Sequence, residues 1–165
     1  MFELISRNPS RYYLAYGSNL DMERMGRRCP YAVPVGVTEI DGYRLLFKKS
    51  KTGSYATIEQ DANESVPAVV WKLSEYDELL LDRYEGYPYY YGKVQIPVEL
   101  DGKTVSAMAY VMQPGFDLNK PSPSYLHTIR EGYRAAGFDQ AVLDQALEDT
   151  RQEMAEGQQW GQQLR

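Results

Sequence analysis

The sequence predicts an α+β fold, with mainly antiparallel strands and with helices set between and after them. Three observations predict it. Short apolar runs of strand length recur from Tyr12 to Met112, and two Asp-Gly pairs stand between such runs as hairpin turns. Capped helical segments interrupt and follow the strands. No Pro/Gly/Ser-rich linker, internal repeat or low-complexity stretch divides the chain, so residues 1–165 read as one domain.

Tyr12 to Ala15 is a short aromatic and apolar run, read as a buried strand. It enters Tyr16-Gly17-Ser18-Asn19, where Gly, Ser and Asn all favour a turn. Asp21 to Met25 follows as one or two helical turns, stopped by Pro30. Val35 to Ile40 and Tyr43 to Lys48 flank Asp41-Gly42, which predicts a two-residue hairpin. Tyr55 to Glu59 and Ala68 to Trp71 continue the strands, the second apolar enough for burial on both faces.

Ser74 fits a helix N-cap with Asp77 in the capping-box position. The helix spans Glu75 to Tyr84 and stops at Glu85-Gly86, with Gly86 as a left-handed cap. Tyr90 to Leu100 and Lys103 to Met112 form a hairpin through Asp101-Gly102. Ser122-Pro123 opens a helix that runs to about Ala136, capped by Gly137. Asp139 starts another, with Val142, Leu143, Ala146 and Leu147 on one face, and the Gln-rich tail from Gly157 is expected to fray. Such strands suit a small barrel with a pocket at one mouth, or an open sheet; periodicity does not choose between them.

Composition narrows the chemistry. A 43% hydrophobic fraction supports a real core, and 25% charged residues is ordinary for a globular protein. No apolar run approaches the ~18 to 20 residues that span a bilayer, so no membrane partner is expected. Met1 to Arg7 lacks the pattern of a secretory signal, and the cytoplasm is the expected location. The single Cys29 forms no internal disulfide, in agreement with a reducing compartment. One cysteine and one histidine cannot assemble a Cys/His metal site, and no EF-hand-like spacing is present, so no metal or cofactor is expected. A net charge of −5 argues against nucleic acid. A homodimer is compatible with all of this.

Two places carry candidate chemistry. In the turn Tyr16-Gly17-Ser18-Asn19, Gly17 permits close approach of a ligand, and successive free N–H groups make an anion-binding nest. Ser18 and Asn19 add directional side chains. The plain alternative is a connecting turn that caps a helix. Glu85 is the second candidate: it precedes a glycine and is surrounded by Tyr84, Tyr87, Tyr89, Tyr90 and Tyr91. Desolvation there would raise its pKa toward a range useful for proton transfer; the alternative is a surface glutamate at a helix end. Among the 15 tyrosines, Tyr110 stands out, because its strand is apolar and a buried hydroxyl needs a partner, which a polar ligand would supply. Cys29, His127 and Ser18 lack the neighbours of a nucleophile, and covalent catalysis is not indicated.

These residues resemble a known family. Tyr13-Leu14-Ala15-Tyr16-Gly17-Ser18-Asn19-Leu20 and Leu81-Asp82-Arg83-Tyr84-Glu85-Gly86 are similar to the two signature motifs of gamma-glutamylcyclotransferase-like proteins. Ala107 to Met112 is similar to the family's late strand with a ligand-facing tyrosine. Pro121 to Leu126, with Gly132 and Gly137 beyond, is similar to its C-terminal helical region. The four stretches follow the family's order over about residues 12 to 147.

The resemblance implies a small mixed, mainly antiparallel β-barrel with flanking helices. It implies Glu85 as the catalytic acid/base, and Tyr13, Leu14, Ala15, Tyr16, Gly17, Ser18, Asn19 and Tyr110 as substrate-binding residues. Asn19 places the chain nearer the branch that acts on free gamma-glutamyl amino acids. The implied partner is a small gamma-glutamyl substrate, whose α-amine attacks its own γ-carbonyl to release 5-oxoproline and an amine or amino acid. A non-catalytic ligand-binding or interaction domain on the same fold is the alternative.

Overall fold

The computed structural model describes residues 11–163, with side chains to Gln158. The Met1 to Arg7 segment lies outside those residues. The elements in order are β1 (Arg11–Ala15), α1 (Met22–Arg28), β2 (Val33–Lys49), β3 (Ser54–Leu73), α2 (Glu75–Glu85), β4 (Tyr91–Leu100), β5 (Lys103–Met112), α3 (Pro123–Ala136) and α4 (Gln140–Gln163). A single 3₁₀ turn, Ser18–Leu20, separates β1 from α1. Five strands form one sheet in the order β2-β3-β1-β5-β4. Only the β1–β5 pairing is parallel; the others are antiparallel. The α+β reading is therefore correct.

β1 is central and apolar for that reason. Tyr13, Leu14 and Ala15 are all buried, covered from both faces as a middle strand requires. Its C-terminal end delivers the chain into the Gly17 turn, so a strand paired on both sides positions that loop.

The long strands correct the sequence reading. Asp41-Gly42 does not turn a hairpin: β2 runs straight through it, paired with β3 on both sides. Gly42 has φ 81°, and the register shifts between Asp41 and Tyr43. The bulge lies on β3, where four residues stand against Gly42 alone, and Gly42 takes the positive φ that a two-residue turn would also demand. The runs expected as four separate strands thus belong to two long ones. Asp101-Gly102, by contrast, is a true hairpin: Leu100 pairs with Lys103, and both turn residues have positive φ.

The outer strands β2 and β4 touch without forming a ladder. Thr38 Oγ1 donates to the Glu99 carbonyl at 2.7 Å, and a Cβ on Gly36 would lie 2.9 Å from Leu100 Cδ1. The sheet is thus not closed into a barrel, and its outer strands meet only through side chains.

The helices are capped as expected. Ser74 and Asp77 form a complete capping box at α2, whose last residue is Glu85 and whose cap Gly86 is left-handed at φ 65°. Ser122 caps α3 with Pro123 in its first turn and Gly137 closes it at φ 76°. α3 crosses the 3₁₀ turn at Gly132, where an added Cβ would fall 2.6 Å from Leu20 Cβ. Only a glycine allows that approach. On α4, Leu143 and Ala146 are buried, with Val142 and Leu147 packed beside them. Arg44 on β2 binds Glu153 of α4 through both guanidinium nitrogens, at 2.6 and 2.8 Å. The helix continues past Gly157, where fraying was expected.

Candidate active site

A cavity of about 420 Å³ opens where the C-terminal ends of β1 and α2 meet, with β5 and α3 completing its walls. Tyr13, Leu14, Tyr16, Gly17, Ser18, Asn19 and Tyr110 line it together with Glu85. Two segments 66 residues apart in sequence even touch, with Ser18 Oγ 3.4 Å from the Tyr84 hydroxyl. Ala15 is buried in the core and does not line the cavity. Its neighbours on the strand take that place.

The turn is built by β1 on one side and the 3₁₀ turn on the other. The first N–H groups of any helical turn have no intrahelical partner. Here the turn closes through Leu20 N–H to Gly17 O at 3.0 Å and Asp21 N–H to Ser18 O at 3.2 Å. That leaves the N–H groups of Ser18 and Asn19 without a protein acceptor among the described residues. Asn19 itself is fully engaged: its Nδ2 donates to the Tyr13 hydroxyl at 2.9 Å, and its Oδ1 accepts from Arg28 Nη1. Its buried amide therefore fixes the turn, and Gly17, Ser18 and Asn19 stand at the cavity wall.

Glu85 occupies the last position of α2, where the left-handed Gly86 stops the helix. It is half-buried, and its carboxylate accepts no hydrogen bond among the described residues. Desolvation raises its pKa from 4.5 to about 7, against the opposing pull of the Arg28 cation. Burial pushes the phenols of Tyr13, Tyr16, Tyr91 and Tyr125 well up, and the charge of Glu85 pushes them the same way. These tyrosines stay neutral, while Glu85 exchanges a proton near neutrality.

The tyrosine hydroxyls are mostly satisfied by the protein. Tyr16 donates to the Tyr110 carbonyl at 2.5 Å and Tyr91 to the Ala56 carbonyl at 2.8 Å. Tyr125 accepts from Ala56 N–H at 3.0 Å. Tyr110 corrects the sequence reading: its hydroxyl donates to Asp82 Oδ1 at 2.6 Å, so Asp82 supplies the partner expected of a ligand. Asp82 is in turn paired with Lys93 at 2.9 Å. Tyr110 contributes its ring to the wall and meets Tyr13 edge-on at 5.9 Å.

Sequence reasoning missed several members of this site. Tyr55 and Tyr125 line the cavity from β3 and α3, whereas Tyr91 of β4 is one of the tyrosines expected around Glu85. Arg28 was missed too, and it joins the two halves: it binds Asn19, and its guanidinium lies 3.6 Å from the centre of the Tyr84 ring. Its position in the last turn of α1 was legible; its partners, far along the chain, were not. Cys29, read as a structural thiol, is buried, and burial pushes it up to about 12. His127 lies exposed on α3.

Among the described residues no helix is long and apolar enough to cross a membrane. A curated gamma-glutamylcyclotransferase of Bos taurus is 33% identical over 138 residues, 76% of this chain and 71% of the relative. One of Homo sapiens is 33% identical over 136 residues, with 76% and 71% covered. A solved structure titled gamma-glutamyl cyclotransferase superposes with a TM-score of 0.75 at 30% identity, covering 83% of this chain and 86% of its own. The family described as "Gamma-glutamyl cyclotransferase, AIG2-like" matches residues 13–133, from the start of the turn motif to the helix that packs on it, and the chain belongs to that family.

Proposed function

We propose that this chain is a gamma-glutamylcyclotransferase, with Glu85 as its acid/base and the Tyr13 to Asn19 segment as its substrate cradle. The observation that carries the reading is an unpartnered, desolvated carboxyl in the same cavity as two free main-chain N–H groups. The names and the 33% identity of the curated relatives support it independently. The whole chain is taken as one domain of this kind.

In the proposed reaction the substrate is held folded, with its α-amine against its own γ-carbonyl carbon. Prepaid orientation of this kind lowers the barrier without a covalent enzyme intermediate. Glu85, ionised, takes a proton from the α-ammonium. The freed amine attacks, a C–N bond forms, and the carbonyl oxygen becomes negative. The bond to the leaving nitrogen then breaks as that nitrogen receives a proton from Glu85. The second proton lost by the attacking nitrogen follows to the leaving amine. Two protons leave the α-nitrogen and two reach the leaving nitrogen, so the ring closes to 5-oxoproline with no net acid or base consumed. A carboxyl with a pKa near 7 suits both directions of transfer at neutral pH. The N–H groups of Ser18 and Asn19 hold the negative oxygens of the substrate, by the logic of an oxyanion site.

The partner in this reading is a small gamma-glutamyl compound, with neither nucleic acid nor membrane, and a homodimer is compatible with the same chemistry. The lone, buried Cys29, which forms no disulfide, agrees with a cytoplasmic location. Incubation with a panel of gamma-glutamyl amino acids and amides tests the activity. Release of 5-oxoproline, followed by mass spectrometry and proportional to enzyme concentration, is expected; binding of these compounds without product would favour the non-catalytic alternative.

A further inference from the structure

A second, shallow and open hollow adjoins the site, and Lys49, Lys51, Phe116 and Asp117 line it. Ser50 and Tyr90 line both hollows and form the border between them. Tyr90 lines the first cavity with Glu85 and packs on Gly86, where an added Cβ would fall 2.6 Å from Tyr90 Cδ2. The Tyr90 ring also meets Phe116, with centroids 6.0 Å apart. Main-chain bonds hold these walls: Lys49 N–H donates to the Asp117 carbonyl, and Gln113 N–H to that of Tyr90, each at 2.8 Å.

The charges of this second hollow are not spent inside the fold. Lys48 is paired with Glu59 at 2.6 Å, whereas Lys49 and Lys51 are exposed and make no ion pair among the described residues. Asp117 is the carboxylate on the same wall, which leaves two cations against one anion on a chain of net charge −5.

The chemistry gives the direction. In the proposed reaction Glu85 protonates the leaving nitrogen, so that nitrogen lies against its carboxyl in the first cavity, whose border with the second hollow is Ser50 and Tyr90. We infer that the second hollow is the leaving-group subsite, and that the preferred substrates are gamma-glutamyl conjugates whose leaving amine carries an aromatic or large apolar body and a carboxylate. Tyr90 and Phe116 receive the body; Lys49 and Lys51 receive the carboxylate. The inference rests on the cyclotransferase reading.

Three substrates separate the contributions: gamma-glutamyl-phenylalanine, gamma-glutamyl-alanine, and the gamma-glutamyl amide of phenethylamine, which keeps the ring and lacks the carboxylate. With the wild-type chain, kcat/KM for 5-oxoproline release is expected to favour phenylalanine over alanine by about tenfold, as burial of a ring against two aromatic side chains would give. It should favour phenylalanine over phenethylamine by about threefold, the scale of exposed ion pairs. In the K49A/K51A double variant the second ratio should fall to near one while the first persists. A wild-type enzyme indifferent to ring and carboxylate, or a double variant with an unaltered second ratio, overturns the subsite but leaves the cyclotransferase reading intact. Absence of 5-oxoproline from all three substrates overturns both.

Discussion

The two halves of the cavity are finished to different degrees. On the β1 side every polar side chain of the turn has a protein partner: Asn19 binds Tyr13 and Arg28, and Tyr16 binds the Tyr110 carbonyl. On the α2 side, Glu85 has none among the described residues, although its surroundings are dry enough to raise its pKa to about 7. In the proposed reaction the satisfied half is the template that holds main-chain donors in place, and the unsatisfied half supplies the proton carrier. Rigidity and reactivity are thus divided between two segments far apart in the chain, and Arg28 touches both.

The largest expected effect comes from removing that carrier. Glu85→Gln keeps the shape and loses the proton carrier, and kcat should fall by about 10²- to 10⁴-fold, the usual share of general acid–base catalysis. Stability should move the other way. The folded pKa of about 7 exceeds the ordinary 4.5, so the contribution of Glu85 to folding is fully present below pH 4.5 and is lost as pH rises through 7. That loss amounts to about 3 kcal/mol across the window. Denaturant unfolding at several pH values should show a steeper decline for the wild type than for the variant, because glutamine does not titrate.

Disturbing the template should cost less, but in both stability and rate. In Gly132→Ala the new methyl meets Leu20 Cβ at 2.6 Å in a buried contact, so α3 or the 3₁₀ turn must shift. Overpacking of this kind costs about 1–3 kcal/mol. A lowered Tm together with reduced kcat/KM would link that helix contact to the cradle; an unchanged Tm would show that the contact relaxes freely.

The smallest effect concerns the link itself. Arg28→Met removes the cation that holds the Glu85 pKa down and frees the Tyr84 ring. The acid limb of the kcat/KM profile should move to higher pH. A profile that keeps its midpoint while activity falls would leave Arg28 with a purely structural part.

Local chemistry made much of this architecture legible in the sequence. The Ser74/Asp77 box, the Gly86 and Gly137 caps and the Asp101-Gly102 turn each depend on residues within a few positions, and each is found where the pattern puts it. The Asp41-Gly42 turn failed for an instructive reason: a bulge and a hairpin ask the same backbone of glycine, and only the partner strand distinguishes them. Glu85 and the Gly17 turn were visible as motifs, and their sharing of one cavity is what their sequences alone could not supply. Arg28, Asp82 and Tyr125 were invisible as site members because the partners that matter to them lie 9 to 69 residues away, with no periodic signal.

The central claim is that a dry cavity tunes one carboxyl to shuttle protons at neutral pH. A carbon-13 NMR titration of the glutamate carboxyls, with Glu85 assigned by its absence in E85Q, measures it directly. The account predicts a midpoint at about 7 for Glu85 in the free protein. A midpoint near the ordinary 4.5 would mean that water reaches the carboxyl freely, and would contradict the account.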